Sequence, residues 1–565
     1  MNLNTKAQEQ NTYDAIVIGS GVSGGWAAKE MTEKGLKVLM LDRGKQLEHV
    51  KDYDTATKAP WEFPHRGKIT AAQKETHPKL SRDYPYSEYN ERFWLNDSKS
   101  PYNEVKRFDW FRPDIVGGKS IMWGRQSYRW SDIDFEANLK DGIAVDWPIR
   151  YKDLAPWYDY VEKFAGISGQ AEGLPQLPDG QFMPAMEMNC VEKEVKKRIE
   201  EKFKGRIMTM GRVANITKPL PGRTNCQYRN LCSRGCPFGA YFSTQSSTLP
   251  AAMATGNLTL RPDSIVNSII YDEKAGKATG VRVIDTHTKQ MTEFYAKVIF
   301  VNGSTLGTTF VLLNSTSSRF QNGLGNDSGV LGKYLMDHHF RTGASGKAEG
   351  FDDKYYFGRR ANGIYIPRYR NIGSDKRDYL RGFGYQGGAS REGWSRGVAE
   401  LGVGKDFKDM LSEPGNWSIG LGGFGECLPY ESNQVTLDTS VKDDWGQPVL
   451  KFDAEFKENE KKMRVDMMND AAEMLEAAGM KDIRTFDNGS YPGMAIHEMG
   501  TARMGRDPKT SILNGYNQMH AVKNVFVTDG ASMTSAACVN PSLTYMALTA
   551  RAVDYMFKEL KKGNI

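Results

Sequence analysis

Apolar residues run almost unbroken through Tyr13-Asp14-Ala15-Ile16-Val17-Ile18, ending in three β-branched side chains. A run that is apolar on both faces predicts a strand buried inside a parallel sheet. Small and apolar residues at helical spacing follow and stop at Gly35, after which Lys37-Val38-Leu39-Met40-Leu41 predicts a second buried strand. Farther along, the period lengthens. Tyr151 to Phe164, entered after Trp147-Pro148, and Glu455 to Ala478, rich in charge and alanine, predict amphipathic helices. Asn524-Val525-Phe526-Val527 predicts another short buried strand. Leu543, Met546, Ala547, Ala550, Val553, Phe557 and Leu560 share one face of a last helix. From His49 to Arg107 charged and aromatic residues follow no period, and an irregular loop is expected there, with a lid or partner surface as the other reading.

Strand, helix and strand in that order predict an α/β protein, and 565 residues leave room for two domains. The chain carries 75 basic and 69 acidic residues, a net +6, which is too dilute to argue for nucleic acid or an anionic membrane as partner. No apolar run approaches the roughly 18 residues needed to cross a bilayer. The opening MNLNTKAQEQNTYD has no apolar core, so no secretory signal is expected. That leaves a cytoplasmic location, or a periplasmic one reached with a signal-bearing partner.

The first strand runs into Gly19-Ser20-Gly21-Val22-Ser23-Gly24, a G-x-G-x-x-G, and the second ends at Asp42. In such a unit the first glycine allows the tight turn and the second lets the backbone approach a pyrophosphate. The third lets the helix pack closely, and the helix N-terminus faces the phosphates. An acid about 20 residues on can accept hydrogen bonds from a ribose. The pattern predicts dinucleotide binding without separating FAD from NAD.

Near the other end, His497 is one of only eight histidines and sits in the small-residue loop Ala495 to Gly505. Thr501 stands where H-E-x-x-H would need a second histidine, so this is no zinc motif. Asn540 and Pro541 precede the last helix, and capping is the plain reading of that pair. Three of the six cysteines, Cys226, Cys232 and Cys236, form C-x5-C-x3-C followed by Pro237. A disulfide would strand one thiol, structural zinc prefers closer pairs and four ligands, and an iron–sulfur cluster suits thiolates on a loop rich in free N–H groups. Cys190, Cys427 or Cys538 could add a fourth ligand.

Scattered motifs resemble the glucose–methanol–choline (GMC) oxidoreductases, FAD enzymes that oxidise alcohols and sugars. YDAIVIGSGVSGG and LDRG are similar to the family's FAD-binding unit. VGGKSIMWGRQSYRW, Val116 to Trp130, resembles its flavin-covering loop, and LMDHHF and DGIAVDWPI are similar to further family segments. VNGSTLGTTFVLLNS resembles the second signature but departs from it at Gly307-Thr308. The resemblance implies a Rossmann-like FAD-binding domain (1–130, 215–335 and 490–565) interwoven with an α+β substrate domain (131–214 and 336–489). It implies cofactor contacts from Gly19, Gly21, Val22, Ser23, Gly24, Asp42 and Arg43, and from Gly117, Gly118, Ser120, Met122 and Trp123. Val266, Asp529, Gly530, Asn540, Pro541 and Ser542 complete that set.

Carried over by motif, His497 is the catalytic base that takes the hydroxyl proton, and Asn540 orients the oxygen. Met122 stands where covalent relatives place a histidine, so non-covalent FAD is expected. The cysteine spacing resembles bacterial FAD-dependent sugar dehydrogenases that carry a 3Fe–4S cluster, which implies Cys226, Cys232 and Cys236 as its ligands. It also implies a small export subunit and a cytochrome c or quinone acceptor. The substrate implied is a sugar or glycoside, with C3 of a glucoside as the oxidised position. An oxygen-reducing sugar oxidase of the same family and a non-enzymatic flavoprotein scaffold are the alternatives.

Overall fold

The computed structural model describes residues 11–356, 358–393, 396 and 402–565. In it the first apolar run becomes the strand Thr12–Ile18, central in a seven-stranded sheet. It pairs in parallel with Val38–Leu41 on one side and Met291–Val301 on the other. Helices cover the sheet, so neither face of the run meets water: Ala15, Ile16 and Val17 expose nothing. Val38–Leu41 pairs onward with Leu258–Arg261. The long strand Met291–Val301 divides its outer edge between two partners. Its first half runs antiparallel to Lys277–Asp285, and its last residues run parallel to Val525–Val527. Ser264–Asp272 pairs antiparallel beyond.

Gly19 turns the chain out of the first strand at φ +91°, where a Cβ would stand 2.3 Å from the Asn302 carbonyl oxygen. A Cβ on Gly24 would stand 1.8 Å from the Gly19 carbonyl oxygen, so only glycine lets the helix Val22–Glu33 lie this close to the strand. The last helix, Ser542–Lys561, packs along it. Its apolar stripe follows Leu543, Met546, Ala547, Ala550 and Val553 as expected, then swings to Ala552 and Met556, which bury against Ala27, Ala28 and Met31.

A second sheet has six antiparallel strands, in the order Lys481–Asp487, His339–Ala348, Trp417–Gly425, Phe383–Arg391, Ile364–Ile366 and Thr209–Met210. The helices Glu458–Ala477 and Cys190–Lys202 back one face, where Met463, Met467 and Met474 fill a core with Ala344, Tyr385 and Leu421. Alternation along Phe383–Arg391 sends Tyr385 into that core, its hydroxyl 2.9 Å from Asp470, while Gln386 lies on the other face. A small third sheet joins Gln434–Lys442, Pro448–Asp453 and Asn103–Glu104. Between residues 49 and 102 the described regular elements are the helix Ala71–Thr76 and three-residue 3-10 turns. Tyr151–Ala165 and Glu458–Ala477 are the two amphipathic helices read from the periodicity. Among the described residues no helix is long and apolar enough to cross a membrane.

Candidate active site

Five parallel strands point their carboxyl ends the same way, and a cavity of about 950 Å³ opens there. Residues just beyond those ends line it: Gly19, Asp42, Asn302, Ser264 and Asp529. This is where open α/β sheets hold their ligands. Asp42 is aimed by its neighbours. One carboxylate oxygen accepts from the Ser20 backbone at 2.8 Å, the other from Gly44 at 2.7 Å. Burial nevertheless pushes its pKa up to about 6, and the Ser20 hydroxyl bond pulls the other way. Asp529 is likewise raised by burial, to about 7, with Thr308 donating to it at 2.5 Å.

At the opposite end, the second sheet closes over the cavity and a cluster of neutral side chains meets. His497 is placed by the carboxyl group of Asp337, whose pKa burial pushes up to about 8 and whose oxygens accept the backbone N–H groups of Ala495 and His497, each at 3.1 Å. Ile496, between them, turns the chain at φ +63°. Glu498 bonds Lys119 at 2.8 Å, tying this loop to the loop Val116–Trp130. The imidazole itself has two partners: Nδ1 lies 3.1 Å from Nδ1 of His338, and Nε2 lies 3.4 Å from the Asn540 amide nitrogen. The Asn540 oxygen accepts from Gln386 at 2.8 Å. Burial drives the His497 pKa well below its ordinary value, and the charges of His338 and Lys119 push the same way. A neutral imidazole at pH 7 can take a proton.

Of the residues expected around the cofactor, Gly19, Gly21, Val22, Ser23, Asp42, Arg43, Gly118, Met122, Trp123, Val266, Asp529, Gly530, Asn540 and Ser542 line this cavity, as does His497. Gly24, Gly117, Ser120 and Pro541 do not; they act behind it. Ser120 donates to the Gly117 carbonyl at 2.6 Å and accepts from Thr244 at 3.0 Å, and the Gly117 N–H donates to Ser20 at 2.7 Å. The capping role read for Asn540 is corrected. Pro541 takes the cap position with no side-chain cap bond, because the Asn540 amide is engaged by Gln386 and His497. His338, Gln386, Lys119 and Asp337 escaped the sequence reading. LMDHHF contained two of them without indicating a role.

The cysteine loop lines part of the same cavity. Cys232, Asn230 and Ser233 line the large cavity, and Cys226, Cys232 and Cys236 together line a second, small cavity of about 30 Å³. Burial raises the Cys236 pKa, and the nearby backbone N–H groups of Ala240, Phe238 and Tyr241 pull it the other way. Tyr228, Asn230 and Gly235 hold positive φ, which folds the loop back on itself. Arg223 is buried, bonds the carbonyls of Gly239 and Ala165 at 2.8 Å each, and keeps one guanidinium nitrogen without a partner. Among the described residues neither Arg223 nor Arg125 has a carboxylate within ion-pair distance, and no group of three His, Cys, Asp or Glu could hold a metal ion.

Family models described as GMC oxidoreductase match residues 13–340 and 429–549. The chain is a GMC oxidoreductase. It is 30% identical to 2-methyl-1,2-propanediol dehydrogenase of Mycolicibacterium austroafricanum, over 96% of this chain and 95% of that one. It is 24% identical to the fructose dehydrogenase large subunit of Gluconobacter japonicus, over 99% and 100%. Pyridoxine 4-oxidase from Mesorbium loti has the same fold, with a TM-score of 0.59 at 15% identity over 96% of this chain and 99% of that one. GMC oxidoreductases bind FAD and act on the CH–OH group of alcohols or sugars, and this enzyme does the same. The site fits that cofactor. Gly21 lines the cavity, and beyond its own chain neighbours nothing lies within 4 Å of where its Cβ would stand, so a pyrophosphate can approach the backbone.

Proposed function

We propose that this GMC oxidoreductase is a dehydrogenase for a secondary hydroxyl of a sugar or glycoside, with C3 of a glucoside as the first position to test. His497 is the base, Asn540 the group that holds the reacting oxygen, and FAD is bound without a covalent link because Met122 cannot make the histidyl bond of covalent relatives. Bound FAD supplies the acceptor for the carbinol hydride. The substrate hydroxyl donates its proton to Nε2 of His497 as the C–H bond breaks, and the Asn540 amide N–H donates to the oxygen that becomes the carbonyl. Gln386 holds the Asn540 oxygen, so the amide presents N–H, not C=O, to the reacting centre.

Electrons are proposed to leave through a 3Fe–4S cluster on Cys226, Cys232 and Cys236 to a cytochrome or quinone. Cys226, Cys232 and Cys236 would hold the cluster through their thiolates, and it would accept electrons one at a time. Three features support the reading. The thiols share one small cavity, nearby backbone N–H groups favour the Cys236 thiolate, and two arginines lack a carboxylate partner where thiolates would balance them. The fructose dehydrogenase relative is named a large subunit, which supports a partner subunit here also.

The observation that carries the proposal is that one cavity is lined by both the His497–Asn540 pair and Cys232. The test measures sugar turnover with an artificial acceptor against dioxygen alone, together with iron content and the electron paramagnetic resonance spectrum of the oxidised enzyme. Rapid peroxide formation would replace the dehydrogenase with an oxidase. An iron-free protein that still reduces a cytochrome would remove the cluster.

A further inference from the structure

Among the groups that the proposed chemistry leaves without a role, His338 is the most constrained. It lies just ahead of the strand His339–Ala348, is fully buried, and packs its ring 4.7 Å from that of Phe424. Each of its nitrogens has one partner. Nε2 stands 3.0 Å from the Ala537 carbonyl oxygen, and Nδ1 stands 3.1 Å from Nδ1 of His497.

Those two contacts leave a single consistent arrangement of protons. A carbonyl oxygen only accepts, so Nε2 of His338 carries hydrogen. Burial holds the ring neutral, which leaves Nδ1 bare and therefore an acceptor. The His497 nitrogen facing it must then donate, so His497 is protonated on Nδ1 and bare on Nε2, the nitrogen turned toward Asn540. The other end of the chain agrees. Gln386 donates to the Asn540 oxygen, so the Asn540 nitrogen points its N–H at the lone pair of His497. Four side chains from four segments thus form one directional series, and its origin is a main-chain carbonyl in the loop that also carries Asn540.

We infer that His338 is a positioning residue that fixes His497 in the tautomer whose Nε2 is free to accept the substrate's hydroxyl proton. Without the acceptor at 338, a neutral His497 can place its hydrogen on either nitrogen, and the molecules with Nε2–H have no base. The same contact serves the protonated state, since Nδ1–H keeps its acceptor when Nε2 takes the proton. The inference rests on His497 being the base, and the experiment separates the two.

The holoenzyme is labelled with ¹⁵N-histidine, and the His497 signals are assigned by their loss in His497→Gln. In the unaltered protein Nε2 should resonate as a lone-pair nitrogen and Nδ1 as a protonated one. His338→Phe keeps the packing against Phe424 and removes the acceptor. It should mix the two His497 tautomers and lower kcat by about 10–100-fold, with KM little changed. His338→Asn returns an oxygen near the Nδ1 position and should restore the lone-pair signature and most of the rate. A His497 protonated on Nε2 in the unaltered protein would overturn the inference. So would a His338→Phe protein with unchanged signature and rate. Turnover surviving in His497→Gln would instead overturn the role of His497 itself.

Discussion

At the catalytic end of the cavity, side chains from residues 338, 386, 497 and 540 bond one another, and the nearby Lys119 charge is answered by Glu498. Around the cysteine loop, the main chain does most of the holding. Carbonyls of residues 55, 58, 165 and 239 receive the arginines, nearby backbone N–H groups favour the Cys236 thiolate, and the charges of Arg125 and Arg223 meet no carboxylate among the described residues. The first region is ordered by directional bonds between neutral groups, which sets where a proton can go. The second has surplus positive charge beside thiols that deprotonate when they bind metal, which suits an anionic redox group. A loss of precision should therefore damage the first region, and a loss of thiolate the second.

The largest expected effect is on the first. His497→Ala should cut kcat/KM by about 10²–10⁴-fold while the flavin absorbance of the purified protein is retained. Full activity with bound FAD would erase the contrast and favour a binding role. Asn540→Ala comes next, at about 10²-fold, the cost of losing one donor to developing oxygen charge. Because Gln386 would lose its acceptor as well, Gln386→Leu should show a smaller loss, and the double variant should fall short of the summed effects. For the second region, Cys232→Ser should lower iron content and the rate of cytochrome or quinone reduction. Bleaching of the flavin by sugar in a stopped-flow trace should survive. Loss of both would mean that the loop supports the cofactor pocket instead of an output.

The smallest effect is on stability against pH. Burial lowers the His338 pKa to about 3, below the ordinary value near 6.5. Below pH 6.5 the unfolded chain takes up a proton on this ring that the folded protein refuses. The contribution of His338 to stability therefore falls as pH drops from about 6.5 toward 3. At pH 5 the 1.5-unit interval corresponds to about 2 kcal/mol for His338. The buried acids Asp42 and Asp529, with raised pKa values, act in the opposite direction in both proteins, so the test is the difference. From pH 7.5 to 6 to 5 the melting temperature of the unaltered protein should fall relative to that of His338→Phe. An equal slope in both proteins would show that the acid sensitivity arises elsewhere.

How far these features could be read from the chain depended on distance along it. The dinucleotide unit is contiguous: strand, glycines, helix, strand and Asp42 all fall within residues 12–42, and local physics is enough to place them. The cysteines likewise announce themselves by spacing. Asn540 was ambiguous, because an asparagine ahead of a proline and a helix is good capping chemistry, and only the approach of Gln386 shows where its amide is used. Gln386 itself lies mid-strand in Phe383–Arg391, where alternation says only that it faces away from the core. His338 was visible as a histidine in a familiar motif, but its meaning depends on a carbonyl about 200 residues away. Long-range pairing of this kind leaves no local pattern.

The divided edge of Met291–Val301 also has a consequence for how the enzyme is made. The slot beside residues 299–301 is filled by 525–527, and Asp529 and Asn540 follow directly. A nascent polypeptide must therefore emerge past residue 540 before the flavin platform and its proton acceptor exist together. Until then it presents an open sheet edge to the cell, which makes the late stages of synthesis the time when this protein most needs protection from aggregation.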